Sequence, residues 1–159
     1  MQKLLQLLQK DARMSVENLA TILGKKPVEI EKEIKKLVEE KTILGFKTII
    51  NPKIKDRGIV QAVIEVKVVP TRGKGFDEVA LRIARFPEVK TVQLVSGSFD
   101  LLVVAEGKSL PEVARFISEK LATIDKIQGT KTNFLLKTYK EDGIFFTETE
   151  SSQRLAVTA

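Results

Sequence analysis

The chain has 159 residues, no Cys, no His, no Trp and a net charge of +6, and its length allows one ordinary domain or two small ones. Without Cys and His, disulfides, zinc fingers and catalysis by Ser-His-Asp or Cys-His groups are excluded, and we expect neither a metal nor another cofactor. No apolar run approaches the roughly 20 residues that span a membrane, and the N-terminal stretch lacks a signal-peptide pattern. A cytoplasmic protein without a membrane partner is expected.

The positive charge is concentrated in the first part of the chain. Residues 1–60 hold 13 Lys and Arg against 8 Asp and Glu, whereas residues 61–159 hold 14 against 13. A basic front and a nearly neutral back indicate an anionic partner for the front. An ordinary solvated helical surface explains the same charge equally well.

The first 41 residues show the apolar spacing of three helices, with apolar side chains recurring every three or four positions. Ser15 suits an N-cap, Gly24 a helix stop and Pro27 the first turn of the next helix. A short helix, a tight turn and a longer helix, packed on a preceding helix, form a helix-turn-helix. The apolar positions are Leu4, Leu5 and Leu8, then Val16, Leu19, Ala20 and Leu23, then Ile30, Ile34, Leu37 and Val38.

From Thr42 the period changes. Residues 43–50 are strand-like and end at Asn51 and Pro52. Together with the helices, this pattern predicts a winged-type helix-turn-helix domain over residues 1–50, followed by a linker over residues 51–58.

The remainder alternates strands and helices. Residues 60–68 alternate apolar and polar side chains, as in a strand with one buried face. A turn over residues 70–73, a helix near 76–83, strands over 89–95 and 101–106, a helix over 110–121 and a strand over 127–139 follow. This order predicts an α+β fold in which a ferredoxin-like βαββαβ domain occupies residues 59–141. Residues 142–159 form a C-terminal tail.

One strand of this sheet is apolar on both faces. Residues 101–105 read LLVVA, so both sides require cover, yet the two predicted helices cover only one. A second copy of the chain is the simplest cover, and we expect a homodimer through the sheets.

The order of these parts resembles the Lrp/AsnC regulators, also called feast/famine regulators, over about residues 2–141. The resemblance rests on SVENLATILGKKPVEIEKEIKKLVEEKTILGFKTIINP in the front, and on VKTVQLVSGSFDLLVVAEG and IDKIQGTKTNFLLKTYK in the back, where a Gly-x-x-Asp signature covers residues 97–100. It implies a regulator that binds double-stranded DNA, dimerises through its back domain and often forms octamers. Small effectors, usually amino acids, bind between the sensing domains of such proteins.

The recognition helix departs from the family pattern because it carries Glu29, Glu31 and Glu33, which phosphates repel. Glu31 is expected to pair with Lys35 at i,i+4. Lysines near a helix start can share a phosphate with helix amides; a solvated surface without a partner is the alternative. The predicted DNA-binding residues are Lys25, Lys26, Lys32, Lys35 and Lys36, supported by Ser15 and Lys47.

The stretch LVSGSFDLLVVA places a small polar island between two strands. Accessible backbone N–H groups suit a carboxylate ligand, and Gly97 permits φ > 0. Asp100 enters an apolar strand and requires a donor: either the ammonium of an α-amino acid, or backbone N–H groups that fix the turn. Thr130 and Thr132 share a face of a strand that lines the effector cleft in the family, although Thr also favours strands without any such role. The predicted effector-binding residues are Ser96, Gly97, Ser98, Phe99, Asp100, Thr130 and Thr132.

Three functional hypotheses follow. The first is a DNA-binding transcription regulator whose assembly or DNA affinity responds to a small effector, an amino acid by resemblance. The alternative is an amino-acid-sensing oligomeric protein with little or no specific DNA binding. The third is an enzyme on a dimeric ferredoxin-like sheet, but no acid pair, His or Trp suggests one, so we expect a protein without enzymatic activity.

Overall fold

Three helices occupy the first part of the chain in the computed structural model, which describes residues 1–51, 58–70 and 75–146. Helix α1 spans Gln2–Lys10, α2 spans Val16–Leu23 and α3 spans Pro27–Glu39. They belong to the first of two compact units, Met1–Ile49 and Ile50–Ala159. The linker predicted over residues 51–58 and the turn over residues 70–73 lie largely outside the described residues, as does the tail from residue 147.

The predicted helix ends are confirmed. The Ser15 hydroxyl oxygen accepts a hydrogen bond from the Asn18 N–H at 3.2 Å, which caps α2. Gly24 ends α2 in the left-handed conformation with φ 65°. Six buried side chains form the helical core, namely Leu4, Leu8, Leu19, Ala20, Ile30 and Leu37. Val38, which we expected on the buried stripe, is instead 45% exposed.

The prediction of a strand over residues 43–50 is wrong. Residues 44–51 have no regular secondary structure. Ile43 packs against the helical core, whereas Leu44 is 89% exposed. An isolated strand has no hydrogen-bonding partner for its backbone, and within the described residues none lies beside this segment.

The second unit contains a four-stranded antiparallel sheet with strand order β2-β3-β1-β4. This arrangement confirms the predicted α+β, ferredoxin-like fold. The elements are β1 Val60–Val68, α4 Asp77–Ala84, β2 Val89–Leu94, β3 Leu101–Gly107, α5 Leu110–Arg115, which continues as a π-helical stretch Phe116–Leu121, and β4 Ile127–Phe134.

One face of the sheet carries the hydrophobic core. Ile64 lies opposite Val103 of β3 and Thr132 of β4, and alternate residues of β1 and β3 are buried. Both helices contribute to the same cluster through side chains such as Val79 and Val113, so both lie on this face. On the other face Val63, Leu102 and Val104 are only half-buried. The homodimer that would cover them stays a prediction.

The last strand is shorter than predicted, because β4 ends at Phe134 rather than near residue 139. Beyond it, β5 Lys140–Glu141 and β6 Ile144–Phe145 form a small hairpin. Asp142 and Gly143 form its turn with φ values of 47° and 85°. Asp-Gly is a strong signal for this turn, and the sequence analysis missed it.

Gly107, at the end of β3, should not tolerate a side chain. A Cβ built there would lie 2.8 Å from Cγ2 of the buried Val113. Gly107→Ala is therefore expected to destabilise the protein by about 1–3 kcal/mol, as overpacking does, measured by urea unfolding. Gly129→Ala is the control, since a Cβ at Gly129 has no neighbour within 4 Å. Equal stability of the two variants would contradict the expectation.

Candidate nucleic-acid interface and effector loop

The apolar side of helix α3 packs against the helical core, so its charged side faces solvent. Ile30 and Leu37 are 0% and 2% exposed. The Lys26 backbone N–H donates to the Glu29 carboxylate at 2.8 Å, which caps the helix start. The predicted contact residues Lys25, Lys26, Lys32, Lys35 and Lys36 are all exposed, so this set is accessible to a large anionic partner.

Three of these lysines are engaged in ion pairs. Lys25 Nζ lies 2.5 Å from Oε2 of Glu33. Lys35 lies 3.9 Å from Glu39 rather than beside Glu31, so the predicted Glu31–Lys35 pair is wrong. Lys36 lies 3.7 Å from Glu40. Lys26 and Lys32 have no ion-pair partner among the described residues, which leaves two uncommitted cations near the start of α3.

The α2 start adds polar groups to this part of the unit. Ser15 caps its own helix, and it lines an open groove of about 440 Å³ together with Asp11, Arg13, Met14, Asn18, Thr21 and Ile22. Arg13 is an exposed cation that the sequence analysis did not select. Its position two residues before the predicted N-cap Ser15 could have indicated it. Lys47 is exposed in the segment that has no regular structure.

Glu33 contacts two cations. Its carboxylate accepts a hydrogen bond from Lys25, which holds the pKa of Glu33 below its usual value. Its other oxygen lies 3.3 Å from the Met1 amino group. Glu33 is therefore ionised at neutral pH, and its negative charge is shared between the Lys25 and Met1 ammonium groups.

In the second unit, the candidate effector loop over residues 96–100 joins β2 to β3. Ser96, Gly97 and Ser98 are exposed, whereas Phe99 and Asp100 are half-buried. Gly97 does not have a positive φ, so the loop does not use the conformational freedom that glycine permits there. A Cβ at Gly97 would meet nothing within 4 Å, which shows open space beside the loop.

Asp100 obtains its hydrogen-bond donors from the chain itself. Its Oδ2 accepts from the Val68 N–H at 2.9 Å, and its Oδ1 accepts from Lys67 Nζ at 3.3 Å. The Asp100 N–H also donates to the Val66 carbonyl at 3.1 Å. The Val68 hydrogen bond, with Lys67 second, lowers the pKa of Asp100. This geometry matches the turn-fixing alternative, and direct ligation of an effector by Asp100 stays a prediction.

Thr130 and Thr132 lie on the same side of the sheet as Phe134, as predicted. Val66 of β1 pairs with Leu101 on one side and with Thr130 on the other. The loop and Thr130 therefore lie at the same end of the sheet, two strand spacings or roughly 10 Å apart, while Thr132 is one row further in. No group of three acidic residues among those described is placed to hold a metal ion.

Comparisons with known proteins agree with this architecture. Residues 61–145 match the Lrp/AsnC ligand binding domain. The HTH-type transcriptional regulator YugG of Bacillus subtilis (strain 168) is 43% identical over 98% of this chain and 94% of its own length. No described helix is long and apolar enough to cross a lipid bilayer.

Solved structures show the same fold. The crystal structure of MtbAldR has a TM-score of 0.74 and 27% identity, and the match covers 87% of this chain and 93% of that one. The regulator NMB0573 from Neisseria meningitidis, solved with L-Met, has a TM-score of 0.67 and 22% identity over 87% and 89% of the two chains. The curated relatives are named transcriptional regulators and not enzymes, so the alternative of a sensor with little or no specific DNA binding is not favoured.

The hydrogen bonds of Asp100 predict a pH-dependent contribution to stability. Its pKa is lower in the folded state than the ordinary value of 3.8, so the contribution is complete above that value and is lost as pH falls through the folded pKa. Asp100→Asn should cost about 1.5–3 kcal/mol at pH 7, as loss of a charged hydrogen-bond partner does. The difference between wild type and variant should shrink as the pH falls below 3.8, because the carboxyl then protonates and loses its advantage as an acceptor.

The measurement is urea unfolding at several pH values. Asp125→Asn is the matched control. Asp125 is 91% exposed and its ion pair with Arg82 is long, at 3.9 Å, so this substitution should change stability little at any pH. A difference for Asp100→Asn that is constant with pH would contradict the assignment.

Proposed function

The chain belongs to the Lrp/AsnC family of transcriptional regulators, and from that premise we propose how it binds its partners. The helix-turn-helix contacts duplex DNA through the exposed lysines at the start of α3. The sensing unit holds a small amino-acid effector beside the loop over residues 96–100 and thereby changes DNA affinity or assembly. The exposed, uncommitted charges of Lys26 and Lys32 carry the DNA part of this proposal.

Electrostatics explains why these two lysines matter most. Each ammonium group that neutralises a phosphate releases a counterion, so affinity depends steeply on salt. Lys26 and Lys32 enter such a contact without breaking an ion pair to any described residue, unlike Lys35 and Lys36. Ser15 and Lys47 are supporting contacts in the same proposal. Since these contacts go to the DNA backbone, they position the protein, and base readout decides sequence preference.

The effector class follows from the groups that the loop presents. Ser96, Gly97 and Ser98 are exposed and offer small side chains and backbone N–H groups, which suit a carboxylate. Asp100 holds the loop to β1, and Phe99, Thr130 and Thr132 complete the predicted contacts. The L-Met complex of the Neisseria regulator supports an amino acid as the class of ligand.

Assembly and location complete the proposal. The half-buried Val63, Leu102 and Val104 on the open sheet face support a homodimer through the sheets. Such dimers would associate further into an octamer, and the protein would act in the cytoplasm, where its DNA partner lies.

DNA binding is tested by changing the two uncommitted lysines. Lys26→Ala with Lys32→Ala should weaken binding to any duplex and reduce the salt slope of log K by about two units, one for each phosphate contact. Fluorescence anisotropy over a salt series measures both quantities. Lys108→Ala with Lys137→Ala removes the same charge from the second unit and serves as the control. Tight binding that ignores both the lysine changes and added salt would count against the proposal.

Effector binding is tested by a thermal-shift screen of the amino acids. A ligand at 100 times its dissociation constant stabilises the folded state by about 2.7 kcal/mol. Gly97→Leu should abolish the ligand-induced shift without lowering the unliganded melting temperature, because its Cβ points into open space. Gly45→Leu, equally open in the first unit, should keep the shift. Persistence of the shift in Gly97→Leu would move the site away from this loop.

A further inference from the structure

The turn between α2 and α3 places a carboxylate against one of the candidate phosphate contacts. Lys25 Nζ lies 2.5 Å from Oε2 of Glu33, eight residues further along the chain. We propose that Glu33 is an internal competitor of DNA phosphates for Lys25, and that it lowers the affinity of the protein for duplex DNA of any sequence. This inference rests on the proposed function, since it assumes that α3 approaches DNA.

The position of Glu33 makes the pair persistent. Glu33 lies between the buried Ile30 and Leu37 in the sequence of α3, and its side chain is only 21% exposed. The Lys25 backbone N–H donates to the Ala20 carbonyl at 3.0 Å, so the start of the lysine side chain is fixed as well. A contact with one partly buried partner is screened less by salt than one between two fully solvated groups.

The other ion pairs of α3 differ in this respect. In the Lys35–Glu39 and Lys36–Glu40 pairs, every side chain is more than half exposed and the separations are 3.9 and 3.7 Å. Pairs of this kind contribute little and release the lysine readily. Lys26 and Lys32 have no ion-pair partner among the described residues. Among the five candidate lysines of α3 and the turn before it, Lys25 is thus the one whose ammonium is held by a short bond to a partly buried carboxylate in the described part of the chain.

A phosphate that approaches Lys25 must replace the Glu33 carboxylate and tolerate its negative charge nearby. The exchange substitutes one charge-assisted hydrogen bond for another, so Lys25 adds little to the affinity of the wild-type protein. Because the penalty falls on a backbone contact, it applies equally to every duplex and increases the relative weight of base contacts.

A double-mutant cycle with a matched control tests the proposal on the full chain. Glu33→Gln should raise affinity for a random-sequence duplex several-fold and steepen the salt slope by about one unit, as one further phosphate contact does. Glu31→Gln removes the same charge from an exposed residue without an ion-pair partner in the described part of the chain, and it should leave the slope unchanged. Lys25→Ala should lower the affinity of the wild type less than Lys26→Ala does, and it should reverse the gain of Glu33→Gln.

Two outcomes would overturn the proposal. The first is equal behaviour of Glu33→Gln and Glu31→Gln, with Lys25→Ala equally costly in both backgrounds. The second applies even where Glu33→Gln does not fold: a loss of affinity for Lys25→Ala alone that equals that of Lys26→Ala. In either case the wild type still binds duplex and the proposed function stands. Failure of both wild type and Glu33→Gln to bind duplex at low salt would overturn the inference and the proposed function together.

Discussion

The burial of one face of the sheet against two helices is the constraint on which the second unit depends. Ile64, Val66 and Val103 are fully buried on this face, and a one-residue slip of β1 would bring Glu65 or Lys67 into the core instead. The register is therefore fixed by hydrophobic burial. In that register the Val68 N–H donates a hydrogen bond to the Asp100 carboxylate. The packing of the core therefore also positions the loop over residues 96–100.

The first unit depends on a different balance, between apolar burial and surface charge. Ile30 and Leu37 orient α3, and its outer surface mixes lysines and glutamates. Along α3 and the turn before it, the described residues include lysines without ion-pair partners, lysines in weak surface pairs and one lysine held by a short pair. The net charge of this surface thus says less about DNA binding than the pairing of each lysine does. A basic composition attracts a polyanion, but local ion pairs decide which charges are available to it.

Prediction from sequence worked well where a local rule acts alone. The caps of α2, the start of α3 at Pro27 and the alternating burial of β1 each follow from a few neighbouring residues. Prediction was wrong where strand formation depends on a pairing partner. Residues 43–50 look like a strand, yet no strand among the described residues lies beside them, and β4 ends at Phe134 although apolar residues continue beyond it. Strand formation needs a second strand, which a local pattern does not reveal.

The sequence by itself determined the order of the three N-terminal helices and of the four-stranded sheet with its two helices, both ends of α2, the start of α3 and the buried face of β1. It also left two roles open for Asp100, and only the tertiary structure showed that Val68 and Lys67 supply its donors. Likewise, only the tertiary structure showed that Lys25 pairs with Glu33. The physical reason is the same in both cases: hydrogen bonds and ion pairs between residues 8 to 33 positions apart require distances that only the packed chain sets.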